Sequence, residues 1–199
     1  AFAKLDAALK AGTGPAFCYI KATQEDFASN KDAQWQFDEF HGRGIACGFY
    51  HFADLSESPE KQADLLCSHA ARIGNGAPTL APAVDLEWLD DHDKLPKATM
   101  RAALVRLIAR VRDNIGRAPT LYTGPPFMAG HVGVVDDLGP VNLWDVDYSD
   151  PAKPPKLPAG FSTWTYRQWT GKGKVPWYRG DLDLNVFNGG QLALARMVG

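Results

Sequence analysis

Apolar positions along the chain fall into short runs separated by stretches where they recur every three or four residues, which predicts strands alternating with helices. Residues 2–10 read as a helix, and a Gly-Thr-Gly-Pro break leads into a strand over 16–23 (AFCYIKAT). Thr23 is placed to cap a helix whose apolar positions Phe27, Ala33, Phe37 and Phe40 lead to a break at Gly42 and Gly44. A strand follows over 45–52 (IACGFYHF), then Ser58-Pro59-Glu60, a helix start in which Ser caps, Pro fits the first turn and Glu meets the positive dipole end. That helix runs to about Gly74. Residues 79–87 (TLAPAVDLE) read as a third strand, and Met100, Ala103, Leu104, Leu107, Ile108, Val111 and Ile115 recur at helical spacing. After a fourth strand over 119–124 (PTLYTG) the pattern changes. Residues 141–148, 162–170 and 181–187 read as strands joined by Pro- and Gly-rich connections with no long helix between them.

Strand–helix alternation over the first two-thirds implies parallel strands with right-handed crossovers, and polar residues at the strand ends favour a barrel over an open sheet. The expected fold class is α/β, an irregular TIM-like (β/α) barrel with fewer helices than strands. Composition agrees: 199 residues, 45% hydrophobic and 22% charged, suit one globular domain spanning 1–199, which at this length buries roughly 70% of its unfolded surface without needing disulfides or metal. A formal charge of -2 supplies no field for nucleic acid, and the five Arg between Arg101 and Arg117 lie opposite an apolar helix face. No apolar stretch reaches the ~18 residues of a membrane span. Cys18, Cys47 and Cys67 are odd in number and lack CxxC spacing, so they read as buried thiols.

In such folds the functional groups gather at the carboxyl ends of the strands. Those ends read Lys21-Ala22-Thr23, Tyr50-His51-Phe52, Asp85-Leu86-Glu87, Tyr122-Thr123, Asp147-Tyr148, Gln168-Trp169 and Asp183-Leu184-Asn185. Asp85 and Glu87 are two apart on an expected strand, so their side chains leave one face with Cα atoms ~6.5–7 Å apart. Paired carboxylates suit glycoside hydrolysis: one must stay protonated to donate to the leaving oxygen, and a negative neighbour in an apolar setting raises its pKa for that task. The competing reading is an edge pair facing solvent. Tyr50, Trp88, Tyr122, Trp144, Tyr148, Trp164, Trp169 and Trp177 lie near the same ends, where flat rings would pack on pyranose faces, with ordinary core packing as the alternative for each.

Other constellations compete less well. Asp90, Asp91, His92 and Asp93 read as a solvated acidic loop in preference to a hard-metal site. Gly171-Lys172-Gly173-Lys174 lacks the full phosphate-loop pattern and falls where a hairpin turn is expected. There is no GxSxG, HExxH or strand-following GxGxxG. His51 reads as a satisfied barrel histidine or as a group that orients a neighbour.

Eight segments in order resemble the glycoside hydrolase family 25 lysozymes (Chalaropsis-type): FCYIKATQ, GIACGFYHF, QAD, APAVDLE, PTLYTG, LWDVDY, RQWT and DLDLNVF. The resemblance implies N-acetylmuramidase activity on the β-1,4 bond between N-acetylmuramic acid and N-acetylglucosamine. It implies Glu87 as general acid, Asp85 as its partner carboxylate and Asp183 as a third acidic residue of the groove. Tyr50, Tyr122, Tyr148 and Gln168 match positions around the sugar, and Trp144 joins them from the aromatic ring. It implies no metal or organic cofactor, peptidoglycan glycan strands as partner, no nucleic acid, no membrane insertion, a monomer, and action on the cell wall outside the cytoplasm.

The resemblance has departures. Family members open on a strand with an Asp-Val-Ser-like motif, whereas this chain opens at AFAKL, starting with Ala1 and not Met, so the first strand and its Asp are expected to be missing. Gln24 stands where the family often has Glu, and Asp145 and Asp147 where an apolar or small residue is more usual. Two rival expectations follow: a glycan-binding barrel of the same fold with weak or no catalysis, and a chitinase-like barrel glycosidase.

Overall fold

The computed structural model describes residues 2–27, 30–89, 92–150 and 152–199. Among them seven strands form one sheet in chain order: β1 (Phe17–Gln24), β2 (Ala46–Phe52), β3 (Ala83–Asp85), β4 (Thr120–Thr123), β5 (Asn142–Val146), β6 (Tyr166–Val175) and β7 (Tyr178–Phe187). Strands β1 to β6 are parallel, and β7 returns antiparallel on β6. The sheet is strongly curled. Tyr19 of β1 reaches across the concave face to ring contact with Trp144 of β5 at 4.7 Å and Tyr166 of β6 at 5.7 Å, although β1 and β7 are not hydrogen-bonded to each other. The result is a mixed α/β fold built on a seven-stranded half-barrel sheet.

Helix α1 (Ala3–Lys10) precedes β1, and α2 (Ala33–His41), α3 (Pro59–Gly74) and α4 (Lys97–Ile115) connect the first four strands. They cover the convex face. Helix α3 starts where Ser58 accepts a hydrogen bond from the Lys61 N–H, with Pro59 in the first turn, and ends on left-handed Asn75. Met100, Ala103, Leu104, Leu107, Ile108 and Val111 turn inward from α4 and pack with Leu66, Val84, Leu86 and Leu121. The arginines are engaged locally, Arg106 with Glu60 and Arg110 with Asp64 on α3, Arg101 with Asp136 and Asp137, Arg112 and Arg117 with backbone carbonyls. Past β4 the helices shrink to one turn, α5 (Pro125–Phe127), a π-helical turn (Met128–Val132) and the terminal α6 (Gln191–Ala195). No described helix is long and apolar enough to cross a membrane.

Three local expectations are corrected. Thr23 caps no helix: it lies inside β1, its hydroxyl 2.8 Å from His51 Nδ1, and α2 begins only at Ala33. The expected strand 79–87 shrinks to Ala83–Asp85, because Pro82 has no N–H to give the ladder. The run 171–174 is not a turn but belongs to β6, and the hairpin reverses at Pro176–Trp177. Asp90 and Asp91 lie outside the described residues, as do the side chain of Asp93, Ala1 and Pro151. Cys18 and Cys47 are free thiols 3.6 Å apart on neighbouring strands, and Cys67 is free as well.

Candidate active site

The carboxyl ends of the parallel strands, together with Asp183 from the middle of antiparallel β7, surround a cavity of about 600 Å³ lined by Lys21, Tyr50, Asp85, Glu87, Tyr122, Trp144, Gln168 and Asp183, among others. Alternation explains the selection. Within β6, Tyr166 and Gln168 face the concave side, so Arg167 and Trp169 point away from it. Arg167 is fully buried behind the sheet, donating to the carbonyls of Asp147, Ser149 and Lys153. Trp169 and Trp164, expected near the sugar, line no cavity of this site; Trp177 does.

Asp85 ends β3 and is buried, with Oδ1 lacking any hydrogen-bond partner among the described residues. Burial, followed by the charge of Glu87, pushes its pKa well up. Glu87 lies two residues on, beyond the last strand residue, where solvent reaches it. Its carboxyl is also raised, by desolvation and then by Asp183 across the groove. Asp183 of β7 is raised by burial alone. The ammonium of Lys21 opposes these effects at both Asp85 and Glu87. Burial and the same carboxylates hold the phenols of Tyr50 and Tyr122 protonated.

The remaining groups are held in place by hydrogen bonds. Trp144 donates its indole N–H to Asn185 Oδ1 at 2.7 Å, and the Gln168 amide donates to the Tyr148 hydroxyl at 2.7 Å. Behind Glu87, the His92 ring lies 3.2 Å from the Glu87 carbonyl through Nδ1 and accepts the Leu55 N–H on Nε2 at 3.0 Å. That pattern fixes the neutral tautomer with the proton on Nδ1. Burial lowers the pKa of His92, which favours the same neutral form. His51 sits on the convex side, between Thr23 and Gln62 at 2.8 and 2.9 Å, with its pKa lowered to about 4 by burial. It is a satisfied structural histidine.

The structure thus brings together Asp85, Glu87, Asp183, Tyr50, Tyr122, Trp144 and Gln168, and places Tyr148 in an adjoining cavity that shares Glu87 and Tyr122 with the first. Sequence reasoning placed Lys21 and Asn185 at strand ends and His92 in an acidic loop without giving any of them a role. Lys21 shares the strand-end parity of Tyr19, a signal that was present in the sequence. Among the described residues no three His, Cys, Asp or Glu side chains are placed to share a metal ion.

A family model described as glycosyl hydrolases family 25 matches residues 4–177. Lysozyme M1 of Streptomyces globisporus is 28% identical over 181 residues, covering 88% of this chain and 61% of the relative. The chain therefore spans about three-fifths of that relative's length. The crystal structure of a bacterial lysozyme from Streptomyces coelicolor superimposes with a TM-score of 0.84 at 26% identity, over 96% of this chain and 89% of that one. A family GH25 lysozyme from Aspergillus fumigatus shares the fold, with a TM-score of 0.84 at 23% identity over 98% and 92% of the two chains.

Proposed function

The chain belongs to glycosyl hydrolase family 25, and from that premise we propose that it is a peptidoglycan muramidase hydrolysing the β-1,4 bond between N-acetylmuramic acid and N-acetylglucosamine. The observation that carries this reading is the carboxyl trio Asp85, Glu87 and Asp183 gathered in one aromatic-walled cavity, each with its pKa raised. Glycoside hydrolysis needs a carboxyl that still holds a proton where the leaving oxygen sits. Desolvation favours a proton on both Asp85 and Glu87, with the charge of Glu87 adding to it at Asp85 and that of Asp183 at Glu87. Glu87 delivers the proton, because Glu87 is the solvent-reached member and lines both cavities, whereas Asp85 is buried behind it. Asp85 and Asp183 then face the positive charge that develops on the sugar ring, and the phenols of Tyr50 and Tyr122 remain hydrogen-bond donors throughout.

The finer reading of the fold is a TIM-like barrel whose wall is open between β1 and β7, supported by the ring contacts that span the concave face. Action as a monomer, at the cell wall and outside the cytoplasm where peptidoglycan lies, belongs to the same proposal. A second reading, a barrel of the same fold that holds glycan and cleaves it slowly, is favoured by the edges of β1 and β7, which pair with no further strand among the described residues.

Release of reducing ends from purified peptidoglycan separates the two. The muramidase reading expects muramic-acid reducing ends whose formation falls about 10²–10⁴-fold in Glu87→Gln. Glycan binding without any release would overturn it in favour of the second reading, and N-acetylglucosamine reducing ends would overturn the bond assignment.

A further inference from the structure

The segment that carries Glu87 leaves the sheet just before it reaches the acid. Leu86 donates its N–H to the Tyr122 carbonyl at 2.9 Å, and Glu87 follows in irregular backbone beyond the last residue of β3. A side chain from further along the chain holds the Glu87 peptide there: His92, fully buried, donates from Nδ1 to the Glu87 carbonyl at 3.2 Å. The other ring nitrogen rests on the loop after β2. Nε2 accepts the Leu55 N–H at 3.0 Å and lies 3.3 Å from Asp54 Oδ1, which itself accepts the Ser56 N–H at 2.8 Å. Gln62 of α3 fixes that loop, donating to the Asp54 carbonyl at 2.7 Å and accepting the Asp54 N–H at 2.9 Å. The ring therefore spans two segments, one anchored on a long helix and the other bearing the acid, with Phe127 packed beside it at 5.8 Å between ring centres.

The carbonyl carbon and the side chain of a residue share one Cα, so a hydrogen bond that fixes the Glu87 carbonyl limits the directions its carboxyl can take. Proton transfer needs the donor within hydrogen-bond reach of the leaving oxygen, and a misplacement of about 1 Å costs about 10²-fold in rate. His92 lines neither cavity of the site, so it acts on substrate only through Glu87. We propose that His92 is a positioning residue, coupling the Glu87 carbonyl to the loop anchored on α3 and so aiming the proton donor. This assignment rests on the reading of Glu87 as the acid and adds to it what sets the direction of that acid. One hydrogen-bond pattern serves the purpose. A ring carrying its proton on Nε2 would set N–H against N–H at Leu55 and a lone pair against the carbonyl at Glu87.

Two substitutions separate the two nitrogens. Asn places an amide N–H where Nδ1 stands and offers nothing at Nε2, whereas Gln places an amide oxygen at Nε2 and loses the donor to Glu87. Both leave part of the same buried site empty, so a merely structural role predicts like losses. On purified peptidoglycan, His92→Gln is expected to lower kcat about tenfold or more, His92→Asn to stay within about threefold of the parent, and KM to stay within about twofold in both. Equal losses of kcat in the two variants, a loss confined to KM, or an unchanged His92→Gln would each overturn the assignment. Titration of the Glu87 carboxyl, followed by its carbon resonance, reads the same contact without turnover. It is expected to move toward the ordinary carboxyl value in His92→Gln, as the group loosens into solvent, and to stay with the parent in His92→Asn; coincident titrations in all three proteins would overturn the positioning role. Titrations that separate in this way, in a parent that releases no reducing ends, would sustain the positioning of Glu87 and overturn the muramidase reading alone. The nitrogen spectrum of the parent needs no variant: a His92 ring protonated on Nε2, or on both nitrogens at the assay pH, would overturn the assignment even where both variants fail to fold.

Discussion

The ammonium group of Lys21 acts on two neighbours at once. It is held 2.6 Å from Gln24 Oε1 and 4.9 Å from the Phe52 ring centre, and from there it lowers the proton affinity of both Asp85 and Glu87. Gln24, one of the departures from the family pattern, is thus part of the electrostatic setting of the acid. Replacing Lys21 by Met removes a charge that favours ionised carboxyls, so both pKa values rise further. The expected outcome is a pH–rate profile on peptidoglycan whose two limbs both move to higher pH, with the loss of rate largest below the original optimum. Profiles that superimpose would show that Lys21 does not tune the pair. At this scale the sequence was informative where a residue type and a strand-end position coincided, as for Asp85, Glu87, Tyr50 and Gln168. It left Trp164 and Trp169 open between sugar and core, because aromatic content does not reveal where a ring points; Trp169 lies on β6 and Trp164 in the segment before it. His92 was obscured by its acidic neighbours, since only the fold shows its ring against the Glu87 carbonyl.

Among the elements, the β6–β7 hairpin shows how spacing constrains residue choice. Gly-Lys-Gly-Lys has the composition of a turn, yet it lies in a strand, where glycine normally costs stability. The reason is close approach: a Cβ on Gly173 would strike the Leu184 side chain and come within 3.0 Å of the Leu182 carbonyl oxygen. Gly173→Ala is expected to destabilise the fold by about 1–3 kcal/mol and to disturb Asp183, which lies between the two crowded positions. Denaturant unfolding together with peptidoglycan turnover checks this; an unchanged midpoint would mean that the hairpin yields freely. Helix α3 was legible because its apolar residues and its Ser58 cap agree, and α4 because its long apolar period alone marks it. The π-helical turn at 128–132 has no such period, and its short run Met-Ala-Gly-His-Val takes its shape from packing of Phe127, Met128 and Val132 on the α4 layer. Strand β3 was overread because its apolar run continues through Pro82, whose carbonyl accepts the Thr120 N–H at 3.0 Å but which has no N–H to return to the ladder.

For the molecule as a whole, opposing titrations set the pH dependence of stability. Asp145 faces the convex side, fully buried, with neither carboxylate oxygen hydrogen-bonded among the described residues, and burial together with Asp147 raises its pKa to about 7. A carboxyl raised in the fold contributes stability that is present at low pH and lost as pH climbs through the folded value. Asp85 acts in the same direction. His51, lowered to about 4, contributes stability that is complete above its unfolded value near 6.5 and is lost as pH falls toward 4. Between pH 4 and 6.5 the histidine and the carboxyls therefore oppose each other. Above 6.5 the remaining gain from His51, and from His92, whose pKa burial also lowers, is small, and the carboxyls dominate the change. The melting temperature is expected to fall from pH 6.5 to pH 8, with Asp145 responsible for up to about 4 kcal/mol of the stability lost between its unfolded and folded pKa values. Asp145→Asn, which keeps the shape and removes the charge, is then expected to raise the melting temperature at pH 8 more than at pH 5 and to flatten the alkaline side of the curve. Thermal melts of the two proteins across that range decide it. A melting temperature that climbs from pH 6.5 to 8 in the parent, or an Asn variant that gains nothing at pH 8, would mean that Asp145 finds compensation inside the fold and carries its charge there at little cost.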